Sequence, residues 1–148
     1  MNRLDVAPDV PAPAVTPDVM FALLGAAHAL EDRIEAHLAS VGLSMSKLGV
    51  LTQLVEAGRP LALSELAARL SCVRSNMTQL VDRLEGDGLV RRVDDPNDRR
   101  SVLAMVTDLG EERQGKGARE LANVRDAFVE SLPAGDREAF SRILAALQ

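Results

Sequence analysis

SELAARLSCVRSNMTQLVDRL, from Ser64 to Leu84, places two short amphipathic segments end to end. Leu63, Leu66, Ala67 and Leu70 share one face of the first, and Ser71-Cys72-Val73 makes a tight connection. In the second, Met77, Leu80, Val81 and Leu84 fall at i, i+3, i+4 and i+7, the spacing of a helix with one buried face. The opposite face carries Ser75, Asn76, Thr78, Gln79, Asp82 and Arg83, and Gly86 and Gly88 close the segment. A bland surface helix more often carries Lys and Glu pairs four residues apart. Amide, hydroxyl and guanidinium groups instead suit base edges and phosphates. Two short helices with a tight turn and a polar second helix form the helix-turn-helix pattern.

Just beyond lies VRRVDDPNDRRSVLAMVT, Val90–Thr107. Apolar runs at Leu89–Val93 and Ser101–Val106 flank a loop of Asp, Pro and Asn, which predicts a β-hairpin. Four arginines, Arg91, Arg92, Arg99 and Arg100, crowd this one acidic turn. A hairpin beside a helix-turn-helix can deliver an arginine to the narrow minor groove. Alone, it reads equally well as a solvated turn whose ion pairs are each worth less than about 1 kcal/mol.

The flanks are helical. From Asp18, the residues Met20, Leu23, Ala27, Leu30, Ile34, His37 or Leu38, and Val41 form one narrow stripe, suited to packing on another helix or a second chain. Ser44 is placed to cap a helix built on Leu48, Leu51, Leu54 and Val55, which Gly58-Arg59-Pro60 ends. Thr107 is placed to cap a long helix to about Ser131, with Leu109, Leu121, Val124 and Phe128 on one face and Gly115 and Gly117 expected to loosen its first half. Pro133 breaks it, and Asp136–Leu147 predicts a last helix on Phe140, Ile143, Leu144 and Leu147. The fold class expected is mainly α.

Composition bounds the function. A formal charge of −5 argues mildly against nucleic acid, because phosphate wants basic surface. Its distribution softens that objection: residues 1–40 carry a net −4 and 101–148 a net −2, whereas 41–70 carry +1 and 71–100 are balanced. The acid therefore sits at the two ends. Residues 1–17 hold Pro8, Pro11, Pro13 and Pro17 and read as a flexible tail rather than a secretory signal. With no long apolar run and a single cysteine, the chain is expected to be cytoplasmic, without a membrane partner.

The stretch from Leu63 to Gly110 resembles the winged helix-turn-helix of the multiple-antibiotic-resistance-regulator (MarR) family. Its markers are Val-Asp-Arg-Leu-Glu ending the second helix, Asp-Gly-Leu-Val-Arg-Arg, Asp-Pro-Asn-Asp-Arg-Arg, and a Thr before the next helix. The resemblance implies four parts: the tail (1–17), an N-terminal dimerisation helix (18–42), a winged helix-turn-helix DNA-binding domain (43–107) and C-terminal dimerisation helices (108–148). It further implies a homodimer on double-stranded DNA with a near-palindromic operator, acting as a repressor released by a small-molecule effector. Arg100 would enter the minor groove with Asp98 holding its guanidinium, and Arg99 would meet phosphate. Ser75, Asn76 and Gln79 would face bases, while Arg74, Thr78 and Arg83 would grip the backbone. The chain departs from the pattern in having only Phe21, Phe128 and Phe140 as aromatics, and Ala62 where a capping hydroxyl is expected.

Other features carry alternatives. Cys72 stands where the pattern has a small aliphatic residue and reads first as buried filler. A redox-responsive role through its thiol is the alternative. His28 and His37, nine residues apart, face nearly opposite sides of one helix and cannot share a metal within the chain, although across a dimer they could; a structural or solvent role is the first reading, and an effector or pH role the alternative. No catalytic residues, cofactor or metal ligands are expected, since an enzyme needs a nucleophile, base or metal cluster. A winged-helix module for protein–protein contact is the remaining rival, and the acidic balance suits it.

Overall fold

The computed structural model describes residues 18–98 and 101–147. The proline-bearing segment 1–17 and the wing-tip arginines Arg99 and Arg100 lie outside the described residues. The order is α1 (Asp18–Ala39), α2 (Met45–Ala57), β1 (Leu61–Ala62), α3 (Leu63–Arg69), α4 (Arg74–Gly86), β2 (Val90–Asp94), β3 (Val102–Val106), α5 (Asp108–Ser131) and α6 (Arg137–Ala145). This is the mainly helical winged fold that the sequence predicts. The described residues divide into two compact units, 18–31 and 32–147. In the first unit Val19, Met20, Phe21, Leu23 and Leu24 of α1 are exposed.

From Asp32 onward the helices enclose one core. Leu38, Leu48, Val50, Leu51, Leu54, Leu66, Met77, Val81 and Leu84 are buried in it, with Leu61, Leu89, Val90 and Ala104 from the sheet side. Two caps work as expected: Ser44 Oγ accepts from the Lys47 N–H at 3.3 Å, and Thr107 Oγ1 accepts from the Gly110 N–H at 3.0 Å. Ala62 and Val73 lead into α3 and α4 without a side-chain cap.

The sheet has three strands, in the order β1-β3-β2, all antiparallel. Sequence reading supplies β2 and β3 to within a residue and misses β1. Two residues are too few to show alternation, and Leu61 and Ala62 are ordered by pairing with Ala104 and Leu103.

The loosening expected of α5 at Gly115 and Gly117 is not seen, and two of its glycines sit where a side chain would not fit. A Cβ on Gly110 would lie 2.0 Å from the Leu89 carbonyl oxygen, and one on Gly117 would lie 2.7 Å from Leu43 Cδ1. α5 is an uninterrupted helix, with Gly110 and Gly117 spent on close approach to the wing's entry and to the core, while a Cβ on Gly115 would meet only Arg119 Nη1 at 3.8 Å. Gln114 Nε2 to Thr52 Oγ1 (3.3 Å) and Arg113 Nη1 to the Val41 carbonyl (2.9 Å) hold the same surface. At its far end, Phe128 meets Phe140 of α6 with ring centroids 6.0 Å apart and tilted. No described residue of α6 is buried, so its apolar face lies outside the core of the single chain.

Candidate nucleic-acid interface

α4 divides cleanly. Met77, Val81 and Leu84 are fully buried, which fixes the rotation of the helix about its axis. Arg74, Ser75, Asn76, Thr78, Gln79 and Arg83 are all exposed as a consequence. The sequence-predicted contact residues of this helix therefore share one solvent face. Thr78 Oγ1 donates to the Arg74 carbonyl at 3.2 Å, back along the helix. The other end of α4 is braced by Lys47 Nζ on Asp87 Oδ2, 2.6 Å.

The turn before α4 needs an unusual backbone. Ser71 adopts φ 49°, a left-handed conformation a non-glycine residue rarely takes, and α3 ends there as the Cys72 N–H bonds the Ala67 carbonyl at 2.9 Å. Cys72 packs against the core but is only half-buried, so the expectation of a buried filler holds in part. It lines an apolar cleft of about 550 Å³ with Met45, Leu70, Val73, Asn76 and Leu80. A side chain in a turn between two short helices can pack on the core and still border a cleft, which periodicity cannot reveal.

The wing grows from the end of α4. Thr107 Oγ1 donates to the Gly88 carbonyl at 2.7 Å, so the residue that caps α5 also ties it to the turn before β2. At the tip, the Asn97 N–H bonds Asp95 Oδ1 (2.8 Å), and the Ser101 N–H bonds the Asp98 carbonyl (2.9 Å). Asp98 is exposed, as a tip residue should be. The roles given to Arg99 and Arg100 fall outside the described residues.

Arg92 stands in the sequence among the arginines of the acidic turn, but its partners are not legible there. Its Nη1 reaches Glu85 Oε2 and its Nη2 reaches Asp82 Oδ1, both at 2.5 Å, and its backbone N–H donates to Glu85 Oε1 at 3.1 Å. That backbone bond, followed by the guanidinium, holds the Glu85 carboxyl below its ordinary range. Chiefly through Asp82, the same contacts hold the Arg92 guanidinium more firmly protonated. The available signal was the 7- and 10-residue separation of opposite charges at a helix–strand junction, which only a known turn brings together.

Each histidine has a partner of its own. His28 Nδ1 lies 2.9 Å from the Leu24 carbonyl within its own helix, and His37 Nδ1 lies 3.0 Å from Glu120 Oε2 of α5. Among the described residues no group of three or more His, Cys, Asp or Glu is placed to hold a metal ion. Nor is any described helix long and apolar enough to cross a membrane.

A helix-turn-helix with its polar face outward, followed by a two-stranded wing, defines a DNA-binding protein of the winged-helix class. Residues 43–102 match the model of the MarR family. In structure the chain is similar to Sco3205, a MarR family transcriptional regulator from Streptomyces coelicolor solved in complex with DNA: 31% identity, TM-score 0.74, 87% of this chain and 82% of that one. It is also similar to CouR from Rhodococcus jostii RHA1, a transcriptional repressor solved on a 23-mer DNA duplex: 30% identity, TM-score 0.74, 87% of this chain and 91% of that one. In sequence it is 39% identical over 71 residues to YkoM of Bacillus subtilis, an HTH-type transcriptional regulator, covering 48% of this chain and 46% of that one. The chain spans about half the length of the curated relatives it matches first. It belongs to the MarR family of transcriptional regulators.

Proposed function

We propose that this chain is a homodimeric, sequence-specific repressor that leaves a near-palindromic operator when a small effector binds. The observation that carries the reading is α4, whose fully buried apolar stripe turns Arg74, Ser75, Asn76, Thr78, Gln79 and Arg83 to solvent as one face. Ser75, Asn76 and Gln79 would read bases in the major groove, and Arg74, Thr78 and Arg83 would hold phosphate. Arg100, steadied by Asp98, would take the adjacent minor groove, and Arg99 a phosphate.

Pairing of two copies is supported by apolar side chains left exposed at both ends of the chain: Met20, Phe21 and Leu23 in one unit, Ile143 and Leu147 in the other. Burying a side chain of this size is worth about 1.5–3 kcal/mol, so a handful suffices for a stable seam. Residues 18–42 and 108–148 would then be the dimerisation helices flanking the reading head at 43–107. An effector acts in this scheme only through its unequal affinity for the two arrangements of the heads.

The test is retardation of the DNA upstream of the chain's own gene at low salt. Arg100→Ala should weaken binding about tenfold, a loss of roughly 1.4 kcal/mol, and lower the preference for A·T-rich flanks. Unchanged affinity and salt slope would show the wing assignment to be wrong.

A further inference from the structure

We propose that Arg92 is a positioning residue: its double ion pair to Asp82 and Glu85 sets the wing against α4, so that the wing is held in place for the flanking groove it meets. The proposal rests on the reading above, in which α4 and the wing meet neighbouring grooves.

The geometry has three parts. Arg92 is the third residue of β2, opposite Ala104 of β3, so it sits in the middle of the paired strands and moves with the hairpin. Asp82 and Glu85 are three residues apart on α4, neighbours on one helix surface that a single planar guanidinium can span. The Arg92 backbone N–H on Glu85 adds a main-chain contact to the two side-chain ones. Three bonds from one residue to two carboxylates restrict both the distance and the tilt of the hairpin. A lysine, as a point charge, would restrict the distance alone.

Charge supplies the second argument. Asp82 is exposed on the polar side of α4, beside Arg83, where an unpaired carboxylate would repel a phosphate backbone. With its guanidinium engaged by two acids, Arg92 brings no free positive charge to DNA; it offsets one of their two negative charges and leaves the cluster at net −1. Arg91, one residue earlier, is exposed and faces the other side of the hairpin, its Nη2 3.2 Å from Met105 Sδ. The arginine pair thus divides its work, one toward α4 and one toward solvent.

The experiment compares the full-length wild type with Arg92→Ala, Arg92→Lys and the double variant Asp82→Asn/Glu85→Gln, which keeps Arg92 and nearly all the volume. Hydrogen exchange reads the hairpin without DNA, and selection from randomised duplexes reads base preference position by position. We expect Arg92→Ala and the double variant to melt cooperatively and to exchange the Val93 and Leu103 amides at least tenfold faster, with Val81 and Leu84 unchanged. Preference at the flanking positions should fall at least fivefold while preference at the positions read by α4 stays. Arg92→Lys should recover part of both. Wild-type exchange in the hairpin of both neutral variants would overturn the proposal, as would equal loss of flanking and α4-read preference. Were the wild type itself to select no sequence, the DNA-binding reading would fall, while the exchange rates still judged the tether.

Discussion

α4 and α6 look alike as sequences and behave differently in the chain. Both carry apolar residues at three- and four-residue steps. In α4 that stripe is sealed, with Met77, Val81 and Leu84 at 0% exposure. In α6 Ile143 is 60% exposed, and Leu147, just past the helix end, is 63% exposed. Periodicity tells which face of a helix avoids water, not what covers it. The covering for α4 is the rest of its own domain, and the covering proposed for α6 is another copy.

Substitutions can break this contrast. The largest effect is expected from Leu84→Ala, which opens a cavity in the sealed stripe and should cost about 2–5 kcal/mol in urea unfolding. A loss under 1 kcal/mol would mean that α4 is less firmly seated than its burial implies. Ile143→Ser with Leu147→Ser should leave the monomer's core intact and instead move the sedimentation equilibrium toward monomer, by about 2 kcal/mol or more of association energy. If the double variant stayed dimeric at micromolar concentration, α6 would not be the seam. The smallest effect is acid-dependent and belongs to the tether. Because Arg92 holds the Glu85 carboxyl low, its contribution is full above the ordinary Glu value of about 4.3 and is lost as pH falls below that through the folded value. Glu85→Gln should flatten this part of the acid limb of a thermal-melt series; an unaltered limb would show that the pair adds no stability.

Local signals were readable where one or two residues suffice. Ser44 and Thr107 announce helix starts because a hydroxyl can bond an amide three positions on, whatever surrounds it. The stripe of α4 and the hairpin on either side of Asp94–Asp98 follow for the same reason. Features requiring two distant segments were not readable. β1 exists because β3 pairs with it, Gly110 is required because Leu89 passes close by, and Cys72 is half-exposed because its turn borders a cleft. The Arg92 tether belongs to this group, since charges 7 and 10 residues apart meet only after the chain turns at Gly88, φ 72°.

The amino-acid order alone determined the winged helix-turn-helix, the polar outer face of α4 and the family, because helix phase, caps and turn chemistry act over a few residues. Tertiary structure decided which apolar faces are sealed within one chain and which acids hold the arginine at the wing's foot. Burial and ion pairing depend on distances in space, and those are set only once the segments have packed.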